Sequence, residues 1–131
     1  MGTLKVYAPY DLSLIEEIEL RTADEMNAAI DKAYGLFSDR SKWIPKYKRV
    51  EILEKIAKLM EKRSEEIINT SAKEGGKPYL DTKVEMARAI NGVKLAIENI
   101  GHFAGEEIPM GHTASSINRL AFTMIEPIGV V

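Results

Sequence analysis

Glu126-Pro127-Ile128-Gly129-Val130-Val131 closes the 131-residue chain, and the reading of this stretch decides the fold. From Pro127 onward the run is β-favouring, unbroken by a charge, and ends on two valines. Such a run starts a strand buried on both faces, as in a parallel sheet. A parallel strand needs a crossover helix and a second strand of similar register. Neither follows in the sequence, so the expectation is a C-terminal truncation of something larger.

Upstream, Arg119-Leu120-Ala121-Phe122-Thr123-Met124 alternates like a strand, behind a polar loop at 111–118. Before the loop, Met86, Ile90, Val93, Ile97, Ile100 and Ala104 recur at steps of four and three. This spacing predicts a helix over residues 81–104, roughly 36 Å long, which needs a large surface to lie against. Gly105 and Pro109 close it. A second helix is predicted over residues 45–73, with Pro45 in its first turn and Val50, Leu53, Ala57 and Met60 as its stripe. Glu51–Lys55 and Glu54–Lys58 support it as i,i+4 pairs in the favourable order. Gly75-Gly76-Lys77-Pro78 ends it, with a glycine for a left-handed cap and a proline beyond.

Thr22-Ala23-Asp24-Glu25 reads as a capping box that starts another helix, ending near Phe37. Its stripe is Met26, Ala29, Ile30, Ala33, Tyr34 and Phe37. At the N-terminus two apolar segments, residues 4–8 and 12–20, flank Pro9-Tyr10-Asp11 and read as a strand pair around a turn. Leu12, Leu14, Ile18 and Leu20 share one face; Ile15 and Glu16 break the alternation. The expected order is thus a strand pair, three helices and a C-terminal strand, in one partial domain over 1–131 that is predominantly helical.

Net charge is −2, with 18 basic and 20 acidic residues intermixed, so no basic stripe suits a nucleic acid. No cysteine is present, which excludes disulfides, zinc–thiolate sites and a cysteine nucleophile within these residues. No basic region followed by a long apolar run marks a leader, and no apolar run reaches the ~18 residues of a membrane span. A cytoplasmic location is expected.

Candidate chemistry is sparse. His102 and His112 lack an acidic partner at metal spacing and read as structural or solvated. Gly75-Gly76-Lys77-Pro78 is not a phosphate loop, because its glycines follow a helix and proline follows the lysine. Glu16-Glu17, Glu65-Glu66 and Glu106-Glu107 are neighbours in sequence; on a helix such side chains diverge by about 100° and form no acid/base couple. Trp43 and Phe103 are expected to pack in the core or under the helix crossings. The apolar strands at the two ends are expected to need a partner.

In order along the chain, several short motifs resemble the NAD(P)-dependent aldehyde dehydrogenases. These are the turn at Ala8-Pro9-Tyr10-Asp11, the segment Trp43 with Tyr47-Lys48-Arg49-Val50-Glu51-Ile52-Leu53, and Glu74-Gly75-Gly76-Lys77-Pro78 followed by Glu85. Arg119-Leu120-Ala121-Phe122-Thr123 and Glu126-Pro127-Ile128-Gly129-Val130-Val131 complete the set. The resemblance implies an α/β parent fold with a Rossmann-type cofactor domain, of which this chain is the amino-terminal part. Residues 119–126 resemble a strand of the oligomerisation sheet, and the closing run resembles the first core strand of the dinucleotide fold.

The resemblance further implies a homo-oligomeric enzyme that oxidises a small-molecule aldehyde to a carboxylic acid with NAD or NADP. Its cysteine nucleophile, glutamate base, oxyanion asparagine and nucleotide-binding glycines would lie downstream. No catalytic or cofactor-binding residue is expected among 1–131, and the chain alone is expected to be inactive. Some family members hold a structural cation near the equivalent of Glu85, which the resemblance carries to that residue; from the residues alone, Glu85 reads as a solvated helix carboxylate. The alternative is a stand-alone helical interaction module that pairs with a full-length enzyme.

Overall fold

The computed structural model describes residues 2–131. Strands β1 (Thr3–Tyr7) and β2 (Leu14–Glu19) pair antiparallel, with Leu4 opposite Ile18 and Lys5 opposite Glu17. The Lys5 ammonium reaches the Glu17 carboxylate at 3.2 Å. The register passes from Val6↔Glu16 to Tyr7↔Leu14 and so skips Ile15. The broken alternation at Ile15 and Glu16 is therefore a β-bulge, which turns Ile15 to the half-buried side. In the turn, the Asp11 carboxylate accepts the Ser13 amide at 3.0 Å and Leu12 adopts φ 58°.

Helix α1 (Ala23–Ser38) begins at the predicted capping box: the Glu25 amide donates to the Thr22 hydroxyl at 3.2 Å, and the Thr22 amide donates to the Glu25 carboxylate at 2.8 Å. Its stripe is not covered, however. No α1 residue is buried, and Met26, Ile30 and Tyr34 are all more than half exposed.

The single helix expected over 45–73 is two: α2 (Lys46–Lys62) and α3 (Ser64–Gly75), hinged at Arg63 with φ −102° and ψ 16°. Among the described residues, four α-helices replace the three expected. The apolar spacing could not reveal the hinge, because the inward positions Val50, Leu53, Ala57, Met60, Ser64, Ile67, Ile68 and Ser71 stay in phase across it. The signal lies in the charges. Lys62 and Arg63 end one helix and Glu65 and Glu66 begin the next, each sign opposing the helix dipole it meets. The Arg63 guanidinium straps the hinge to Glu66, with Nε donating at 2.8 Å.

Gly76 caps α3 in the left-handed conformation, φ 61°, as its position predicts, and the Lys77 amide donates back to Ala72. A Cβ there would also meet Pro9 Cγ at 2.8 Å, so Gly76 lets the hairpin turn seat on the end of α3. Helix α4 (Tyr79–Asn99) lies against both α2 and α3. The helical stripe expected to Ala104 stops earlier: the chain tightens into a 3-10 turn at Ile100–His102 and leaves helical geometry at Phe103. Ala57, Ile68, Met86 and Ile100 form the buried centre of this three-helix layer. Thr82 is buried with them, its hydroxyl donating to the Pro78 carbonyl at 3.1 Å.

The strand expected at 119–124 pairs only as β4 (Ala121–Phe122), against a partner absent from the expectation, β3 (Glu107–Ile108). Residues 123–131 carry no regular structure. The run that begins at Pro127 thus forms no strand here, because nothing lies beside it to accept its backbone hydrogen bonds. Accessible surface totals 10,744 Å². A folded monomer of 14.6 kDa exposes roughly 6,900 Å². Large apolar side chains stand exposed on β2, α1 and the closing segment, among them Leu14, Ile30 and Ile128.

Candidate functional site

An open, apolar groove of about 910 Å³ lies between the end of α1, the start of α2 and the end of α4. Phe37, Trp43, Ile52, Ile100 and Phe103 form its walls, and Pro127 and Gly129 run along its lip. Trp43 is its hub. The indole stacks on Phe37 at 6.1 Å between centroids, and its Nε1 donates to the Phe37 carbonyl at 2.7 Å. Asp39 fixes the turn before it by accepting from both the Ser41 amide and hydroxyl. Those donors, with the Lys42 ammonium, hold the Asp39 carboxyl below the usual carboxylate range.

Two cations beside the groove are already engaged. Arg49 Nε donates to the Ile44 carbonyl at 2.8 Å, and Lys42 pairs with Asp39 at 3.2 Å. Lys46 donates to the Phe103 carbonyl and ties α2 to the end of α4. Arg40 lies 5.2 Å from the Trp43 ring centroid and pairs with Glu126 at 2.7 Å. Sequence reading missed this last pair, whose members stand 86 residues apart with no local signal. The groove therefore offers apolar contact and no free nucleophile or general base.

The residues singled out in the sequence do not converge. His102 meets only Asn99, at 3.5 Å, and both histidines are exposed. The neighbouring glutamates take different partners: Glu65 accepts from the Tyr79 hydroxyl at 2.7 Å while Glu66 holds Arg63. The Glu65 contact pushes the Tyr79 phenol above its ordinary range. Glu85 sits on α4 and accepts the Lys77 ammonium with both oxygens at 3.0 Å. Among the described residues, no group of three or more His, Asp or Glu side chains could hold a metal ion. No helix among them is long and apolar enough to cross a membrane.

The glycine pair at the end of α3 offers no phosphate cradle. Gly75 ends α3 and Gly76 caps it, and Pro9 packs against Gly76, so the pair does not open a helix N-terminus toward a ligand.

A model of the aldehyde dehydrogenase family matches residues 1–131. The chain belongs to the aldehyde dehydrogenase family. It is 35% identical to lactaldehyde dehydrogenase of Methanocaldococcus jannaschii, over 98% of this chain and 26% of that protein. It is 31% identical to 3-sulfolactaldehyde dehydrogenase of Priestia megaterium, over 98% of this chain and 26% of that one. Among solved structures it resembles glyceraldehyde-3-phosphate dehydrogenase GapN of Methanocaldococcus jannaschii, complexed with NADP. That likeness has a TM-score of 0.75 and 33% identity, over 82% of this chain and 24% of that one. The chain thus spans about a quarter of the length of the aldehyde dehydrogenases it matches.

Proposed function

We propose that this chain is the amino-terminal scaffold of an NAD(P)-dependent aldehyde dehydrogenase that oxidises a small aldehyde to its carboxylic acid. The observation that carries the reading is the match over the full 131 residues, joined to a sequence with no cysteine and a groove whose cations are all tied. In this reading the three-helix layer supports the parent enzyme's cofactor domain, and the chain alone turns over no aldehyde. GapN, with its bound NADP, supports a nicotinamide dinucleotide as the oxidant. Residues 119–126 belong to an oligomerisation sheet. The open edges of β3 and β4 and the exposed Leu120, Phe122 and Met124 favour this assignment. A structural cation at Glu85 and a cytoplasmic homo-oligomer complete the reading; half of the Glu85 side chain is open to solvent.

The substrate class we assign is a short aldehyde with a hydroxyl on the adjacent carbon. Lactaldehyde, 3-sulfolactaldehyde and glyceraldehyde 3-phosphate, which name the three relatives above, all share that group.

A chimera tests the scaffold role. The 131 residues replace the matching segment of the Methanocaldococcus jannaschii lactaldehyde dehydrogenase, whose own downstream residues remain. The chimera is expected to keep kcat within about tenfold, a change of ~1.4 kcal/mol in barrier. A chimera that folds and assembles but has lost turnover would show that this segment carries chemistry, and the scaffold reading would fail. For substrate class, the intact enzyme carrying these residues is expected to prefer lactaldehyde to propanal; the reverse preference overturns it.

A further inference from the structure

We propose that Arg40 is a positioning residue for the closing segment: it clamps Glu126 beside Trp43 and so sets the direction in which residues 127–131 leave the helical layer. The inference stands on the geometry of this chain and does not depend on the enzymatic reading. Arg40 Nη2 meets Glu126 Oε2 at 2.7 Å, and the same guanidinium lies 5.2 Å from the Trp43 ring centroid. A planar cation suits both contacts, because it can face an aromatic ring while its edge donates to a carboxylate.

The anchor is itself held. The Trp43 indole is stacked on Phe37 and bonded to the Phe37 carbonyl, and Asp39 caps the turn that carries Arg40. On the other side, Glu126 immediately precedes Pro127. A residue before proline is confined to extended geometry, and proline fixes its own φ. Holding the Glu126 carboxylate therefore constrains the next residues with little slack. Among the described residues, no other hydrogen bond or ion pair joins 124–131 to the rest of the chain. The nearest other tie is at Thr123, whose amide and hydroxyl bond Glu106. Beyond Glu126, Pro127 and Gly129 line the groove.

The chain lends itself to a direct measurement, because Trp43 is its one tryptophan and it has no cysteine. Ile128→Cys, at a fully solvent-facing position, takes a thiol-reactive dansyl acceptor. Energy transfer from Trp43 is read from donor lifetimes with and without acceptor in each variant. Glu126→Gln removes the carboxylate and leaves the helical layer untouched; it is expected to lower the transfer, with the released population rising about fivefold, the scale of one exposed ion pair. Arg40→Ala is expected to do the same, and the swap Arg40→Glu with Glu126→Arg to restore transfer. Circular dichroism checks the helices in each variant. Transfer unchanged in Glu126→Gln, or a swap that folds without restoring it, overturns the proposal.

Discussion

Gly105 runs so close to Thr123 that a Cβ on it would stand 1.5 Å from the Thr123 carbonyl oxygen. The approach lets the Glu106 amide donate to the Thr123 hydroxyl and the Thr123 amide donate to the Glu106 carbonyl, each at 2.9 Å. Those bonds set the register of β3 on β4. Gly105→Ala must push the two backbones apart, and is expected to cost about 1–3 kcal/mol, as an overpacked site does. The expected readout is lost hydrogen-exchange protection at the Thr123 amide. Gly101→Ala, where nothing lies within 4 Å of the added carbon, is the control and should leave it protected. Retained protection in Gly105→Ala would contradict the close approach.

The cap of α1 predicts a pH dependence. The Thr22 amide, with smaller help from the Thr22 hydroxyl and Arg21, holds the Glu25 carboxyl below its ordinary value. A carboxyl whose folded pKa is depressed stabilises the fold fully above its unfolded value, near 4.5. That contribution is lost as pH falls from there through the folded value. Helix α1 is therefore expected to fray on acidification below about pH 4.5, at its first turn and before α4. Nuclear magnetic resonance shifts of Thr22 and Glu25 would show it. Thr22→Ala, expected to cost about 1 kcal/mol, should weaken α1 at neutral pH and flatten the acid response; an unchanged acid response would sink the assignment.

How much of this was legible in the sequence depends on the range of the interaction. Thr22–Glu25 and Gly76 are local devices, and each appears where its residues predict. The bulge at Ile15 was visible only as a broken alternation, since the partner register decides which residue is skipped. Arg63 escaped because a hinge that keeps the apolar stripe in phase leaves no mark on periodicity; only the switch from Lys62-Arg63 to Glu65-Glu66 records it. Burial of Thr82 was hidden by its polarity, which the Pro78 carbonyl satisfies. Arg40 and Glu126 are joined by the fold alone. The family motifs pointed to the aldehyde dehydrogenases, because their order along the chain is itself a feature of the sequence.

Lys77 and Glu85 set a competition at the residue proposed to hold a structural cation. The ammonium bonds both carboxylate oxygens at 3.0 Å, so an incoming cation must displace a like charge. Lys77→Ala is expected to raise cation affinity at Glu85 several-fold, given the modest strength of an exposed pair. Manganese is a suitable probe, through its paramagnetic broadening of the Glu85 amide. Equal broadening with and without Lys77 would mean that the ion pair does not guard the carboxylate. No broadening in Lys77→Ala would remove the cation assignment for this chain.

Met26, Ile30 and Tyr34 on α1 and Leu4 and Ile18 on the hairpin face solvent, although all but Tyr34 are strongly apolar. The surface beyond that of an ordinary folded monomer of this mass is about 3,800 Å². Obligate interfaces bury roughly 2,000–5,000 Å² summed over both partners, about half of it on each, so the uncovered area on this one chain exceeds what a permanent contact needs. The 131-residue chain is therefore expected to self-associate and to bind a hydrophobic dye such as anilinonaphthalene sulfonate. Net charge of only −2 offers little repulsion to oppose it. Met26→Glu with Ile30→Glu puts two like charges on the α1 stripe, away from the α2–α4 centre. The pair should reduce association in light scattering and dye binding while circular dichroism stays unchanged. A wild-type chain that scatters as a monomer and binds no dye would contradict the uncovered stripe; variants that associate as before would shift the sticky surface to the hairpin or the closing segment.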